Sequence, residues 1–85
     1  MNTTAEAEAL VRRALHEVAP DADVDDLAGD ADMRDSLGLD SIDFLRLVEL
    51  LSERSGQRID EEDYPRLATL AEAVRFLSAG HPSAG

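Results

Sequence analysis

The stretch "SLGLDSIDFLRLVELL", Ser36 to Leu51, sets a serine, Ser41, at the threshold of the most apolar segment of the chain, with Asp40 before it and Asp43 two residues after. A hydroxyl in this position has two chemistries open to it. It can cap the helix that follows by accepting a hydrogen bond from an orphan backbone N–H, worth roughly 0.5–2 kcal/mol. It can also accept a group transferred by another enzyme. A phosphodiester there would sit near the positive end of the helix dipole, while Asp40 and Asp43 would repel it. Composition and spacing leave both chemistries open.

Other constellations are sparse. His16 and His81 are the only histidines. A Ser41–His16 pair would still need an oxyanion hole, an orienting acid and a pocket around a small core, so His16 is expected to be satisfied by a local partner or to face solvent, and His81 to lie in a frayed tail. "DADVDDLAGDAD" places Asp21, Asp23 and Asp25 at the first, third and fifth positions of a calcium loop. Asp26 then stands where the sharp turn needs glycine, and Asp32 where a bidentate glutamate is needed, so no metal site is expected. Without cysteine, disulfides and thiolate metal sites are excluded.

The elements that must position Ser41 are helical. Ala7, Leu10, Val11, Ala14, Leu15 and Val18 keep 3-and-4 spacing. Thr3 with Glu6 forms a capping box and Pro20 ends the run, giving a first helix over 4–18. The acidic connection "PDADVDDLAGDADMRDSLGLD" is read as an ordered loop pinned by Val24, Leu27, Met33, Leu37 and Leu39. A second helix over 41–55 buries Phe44, Leu47, Val48 and Leu51 and stops near Gly56. Ile42, Leu45 and Glu49 fall on a flanking row off that stripe. Asp60 starts a short third helix through Tyr64, which Pro65 interrupts. Thr69 and Glu72 cap a last helix over 70–78 with Leu70, Ala73, Val74 and Leu77 inward. No segment alternates with period two. The expected fold is all-α: four helices, the third short, with a long ordered loop between the first and second, forming one domain over 1–78 and a flexible tail over 79–85.

The chain of 85 residues carries 19 acids against 8 basic residues, all arginine, for a net charge of −11. That balance argues against nucleic acid and anionic membranes as partners and favours basic protein surfaces. The N-terminal residues show no signal-peptide pattern and no run approaches the length of a membrane span, so a soluble, cytoplasmic protein is expected. Self-repulsion on so small a domain predicts that added salt or divalent cations raise the melting temperature. A melting point unchanged between low and moderate ionic strength contradicts this.

Beyond their physics, "LGLDSIDFLRLVELL" and the downstream "RIDEEDYPRLATLAEAVRFL" resemble the acyl carrier protein family. Leu37, Gly38, Asp40 and Ser41 match its attachment motif, Ile42 replaces the usual leucine, and Met33 falls where that family places an apolar loop anchor. The likeness covers roughly residues 5–78. It implies that Ser41 receives 4′-phosphopantetheine from coenzyme A through a phosphodiester made by a separate magnesium-dependent phosphopantetheinyl transferase. The arm's thiol would then hold acyl groups as thioesters, and the chain would be a carrier, not an enzyme. The resemblance further implies a monomer with its second helix as docking surface, where Asp40, Ile42, Asp43, Leu45, Arg46 and Glu49 meet acyl- or aminoacyl-loading and acyl-transferring enzymes. A core between the second helix and the last two would shelter an acyl chain. The motif alone does not separate such a carrier from an acidic helical adaptor that keeps the fold without the modification.

Some positions depart from the family pattern. Arg46 stands where fatty-acid-synthesis carriers present a glutamate, Phe44 is bulkier than the small residue common there, and Tyr64 and Pro65 replace less demanding residues. "SGQRI" is more polar than the usual approach to the third helix. These changes point away from housekeeping fatty acid biosynthesis towards polyketide, aminoacyl or other specialised metabolism. "LGLDS" favours the acyl type over the peptidyl type.

Overall fold

The computed structural model describes residues 3–79, so His81 and the tail expected beyond residue 79 lie outside the described residues. Helix α1 spans Thr4–Val18. The Thr3 hydroxyl accepts from the Glu6 N–H at 3.1 Å, and the Thr3 N–H donates back to Glu6 Oε1 at 3.0 Å. The backbone half of this box, followed by the hydroxyl, lowers the pKa of the Glu6 carboxyl. Ala7, Val11, Ala14, Leu15 and Val18 are buried on one face. The helix stops at Ala19, because the residue before a proline is driven out of the helical region.

The connection that follows is ordered, but it is less loop-like than its sequence implies. A 3₁₀ turn occupies Val24–Asp26, and a five-residue helix, α2, spans Met33–Leu37. Asp32 caps α2 by accepting from the Asp35 N–H at 3.0 Å. Gly38 closes it in the left-handed region, at φ 68°. Of the expected anchors, Val24, Leu27, Met33 and Leu39 are buried, and Leu37 is half-buried against the core.

Helix α3 spans Ser41–Ser55 and ends at Gly56, also left-handed, with Phe44, Leu47, Val48 and Leu51 buried as expected. The short third helix needs correction. It is a 3₁₀ segment over Glu61–Leu67 that runs through Pro65. Proline's fixed φ suits a 3₁₀ helix, and so short a segment has few amide bonds to lose. Leu67 at its end is fully buried. Helix α4 spans Leu70–Ser78, with Thr69 accepting from the Glu72 N–H at 3.1 Å. It packs on α1 and on the Glu61–Leu67 segment, while α1 packs on α3. Phe76 joins Leu70, Ala73, Val74 and Leu77 in the core because α4 is covered on two sides. Among the described residues there is no named strand, only one isolated bridge between Asp32 and Thr69.

One buried polar side chain ties the ends of α3 and α4 together. Gln57 Nε2 donates to the Leu77 carbonyl at 2.6 Å, and the Gln57 carbonyl accepts from the Ser52 hydroxyl at 2.7 Å. The amide takes up the Leu77 carbonyl of the last turn of α4, a group a helix end leaves without an intrahelical partner.

Candidate functional site

Three backbone links from the loop to the start of α4 place the N-terminus of α3. The Met33 N–H donates to the Ala68 carbonyl at 2.8 Å, Asp32 pairs with Thr69, and the Ala71 N–H donates to the Gly29 carbonyl at 2.8 Å. At the loop's other end Arg12 Nη1 donates to the Val24 carbonyl at 2.7 Å. The segment that delivers Ser41 is therefore stitched at both ends to the helical core.

Of the two chemistries open to Ser41, the capping one falls to its neighbour. Asp40 is the cap: its backbone is extended and Oδ1 accepts from the Asp43 N–H at 2.8 Å. A carboxylate satisfies the orphan donor as a hydroxyl would, with added attraction to the positive end of the dipole. Ser41 thereby becomes the first residue of the helix, exposed, and its Oγ has no hydrogen-bond partner among the described residues.

Around this hydroxyl the sequence-nominated residues spread over one outer face. Ile42 is 70% exposed and Leu45 46% exposed, the two exposed large apolar side chains of the described residues. Asp40, Arg46 and Glu49 are exposed beside them and Asp43 is half-buried. Neither the loop nor the third helix covers this pair. Arg46 also acts inward on α1. Glu17 is bonded by Arg54, and that bond, with the further charges of Arg54, Arg13 and Arg46, lowers the pKa of the Glu17 carboxyl.

Ser41 opens onto a cleft of about 460 Å³ between α2, the start of α3 and the Glu61–Leu67 segment. Asp32 and Arg34 line one side, Phe44 and Leu45 another, and Tyr64, Pro65 and Ala68 the far wall. Phe44 and Tyr64 meet edge to face, with centroids 5.6 Å apart and planes at 83°. The Arg34 guanidinium carbon lies 5.3 Å from the Phe44 ring centroid, within cation–π range. The sequence showed the bulk of Phe44 and Tyr64 but not Arg34, whose five-residue helix is too short to display a period.

The alternatives find no support at these residues. His16 Nε2 lies 3.3 Å from Asp25 Oδ1 on the surface and does not line the cleft. No cluster of metal-ligating side chains occurs among the described residues, the Asp21–Asp32 run included. No helix among them is long and apolar enough to cross a membrane.

An uncommitted hydroxyl at a fixed helix start beside a cleft is open to a group transferred by another enzyme. Residues 8–77 match the family described as "phosphopantetheine attachment site". Since that match runs from α1 to the last turn of α4, the chain belongs to the phosphopantetheine-attachment family, carriers whose covalently attached 4′-phosphopantetheine arm is installed by a phosphopantetheinyl transferase and served by acyl-handling enzymes.

Proposed function

We propose that Ser41 carries the arm and that the chain is an acyl carrier for short cargo in specialised metabolism. The observation that supports this most is the transfer of the capping role to Asp40, which leaves the Ser41 hydroxyl exposed and unbonded. In the attachment step Ser41 Oγ attacks the pyrophosphate of coenzyme A. One P–O bond forms and one breaks, 3′,5′-ADP leaves, and the transferase takes the hydroxyl proton. The bound arm supplies a thiol for thioester formation in a chain that has no cysteine. The chain's own part is to hold the attachment point rigid on α3, to offer a readable surface and to limit what enters the cleft.

The readable surface is the face bearing Ile42 and Leu45, rimmed by Asp40, Asp43 and Glu49. Exposed apolar side chains inside a charged rim suit a transient protein interface. Arg46 puts a positive charge within that rim, favouring partners with an acidic group opposite it. Phe44 and Tyr64 meet edge to face at the wall of the cleft between α3 and the Glu61–Leu67 segment, which favours short acyl or aminoacyl groups over long chains.

Incubating the purified chain with coenzyme A, magnesium and a broad-specificity transferase is expected to add the mass of one arm, located by fragmentation to Ser41. No mass gain, or an arm on another residue, overturns the assignment.

A further inference from the structure

Arg34 supplies the only cationic side chain among the residues lining the cleft beside Ser41. It is held in place from below: Met33, next to it in α2, is fully buried and its N–H is bonded to Ala68. Arg12, Arg54 and Arg58 each pair with a carboxylate. Arg34 has no such partner among the described residues, nor do Arg13, Arg46, Arg66 and Arg75, but of these five only Arg34 lines the cleft. Asp32, the carboxylate that shares the cleft, accepts instead from the Asp35 N–H. The guanidinium lies against the Phe44 ring. This contact takes up none of the guanidinium's N–H donors, which stay available to an oxyanion.

A phosphodiester on Ser41 Oγ would place an oxyanion in the same cleft that Arg34 lines. Asp40 and Asp43 flank that position and oppose a further negative charge, and Asp35, the one acid within α2, makes no ion pair with Arg34 among the described residues. We propose that Arg34 is a positioning residue for the arm: it pairs with the phosphodiester on Ser41 and fixes the arm's root at the mouth of the cleft. This rests on the assignment of Ser41 above. Phe44 then has two roles, as wall of the cleft and as platform that aims the guanidinium.

The test compares wild type, Arg34→Gln, Arg34→Lys and, as a control outside the cleft, Arg75→Gln. Each is loaded to one arm per chain by mass. The phosphodiester is followed by ³¹P NMR and the Arg34 Nε–H by ¹⁵N-resolved spectra. Loading is expected to shift the Arg34 Nε–H signal. The ³¹P line is expected to move in Arg34→Gln, to return part of the way in Arg34→Lys, which keeps charge without the planar fork, and to stay in place in Arg75→Gln. A ³¹P line identical in wild type and Arg34→Gln overturns the proposal. So does an Arg34 signal that ignores the bare arm and moves only when the arm bears a carboxylated group such as malonyl. Failure of loading at Ser41 is a separate result, visible in the mass before any spectrum is taken, and it removes the carrier assignment together with this one.

Discussion

Ser41→Ala is expected to abolish arm attachment completely while leaving the unfolding free energy within about 0.5 kcal/mol of wild type, as for a surface change that touches no special feature. Asp40→Ala is expected to cost the fold roughly 0.5–2 kcal/mol. The contrast follows from one hydrogen bond. Asp40 Oδ1, and not Ser41 Oγ, accepts from the Asp43 N–H. Alanine at position 41 is a good helix former, and it removes an oxygen that bonds nothing among the described residues. Mass spectrometry and denaturant unfolding on the three proteins check both halves. A loss of 1 kcal/mol or more in Ser41→Ala, with none in Asp40→Ala, would return the cap to the hydroxyl.

The second large effect is expected at Phe44, buried to 6% exposure. Truncating a buried phenylalanine to alanine typically costs about 3–5 kcal/mol, a large fraction of the roughly 5–15 kcal/mol that holds a small domain together. Part of that loss is the edge contact with Tyr64 and the guanidinium contact with Arg34. The cleft would also open towards the core. An octanoyl group on the arm is then expected to raise the melting temperature of loaded Phe44→Ala above that of the same variant bearing the bare arm, because a ligand that binds only the folded state stabilises it. In wild type the two forms are expected to melt together. Tyr64 is half-buried, so Tyr64→Ala provides the same comparison if Phe44→Ala does not fold. A wild-type protein stabilised by octanoyl as strongly as either variant would contradict the reading of these rings as a plug.

What the sequence reveals well is what is local. Thr3 with Glu6, and the stripes from Ala7 to Val18 and from Phe44 to Leu51, are set by spacing within a few turns, and they hold in the structure. The bounds of α3 follow from an acid–serine pair at one end and Gly56 at the other. Adjacent side chains both able to cap are harder to separate. Asp40 and Ser41 differ only in which backbone turns extended, and that depends on how Gly38 and Leu39 bring the chain out of α2. In the sequence Pro65 marks a stop because a regular α-helix resists it, whereas the Glu61–Leu67 segment is wound as a 3₁₀ helix. Phe76 escaped notice because α4 is covered by both α1 and the 3₁₀ segment, a tertiary fact invisible to a single stripe. Arg34 lies in a helix too short to show a period, and what matters about it is the contact with the Phe44 ring, ten residues along the chain.

The stitches between the loop and the start of α4 bear on when the site comes into being. Gly29 is bonded to Ala71, Asp32 is paired with Thr69, and Met33 is bonded to Ala68. Each link joins the segment leading to Ser41 with residues made much later in synthesis. Closing such non-local contacts carries a loop entropy that local helix formation does not. On a ribosome, α1 and α3 have all their own residues available before Ala71 emerges, but the seat of Ser41 does not. The surroundings of Ser41 are therefore complete only once the residues through Ala71 have been made.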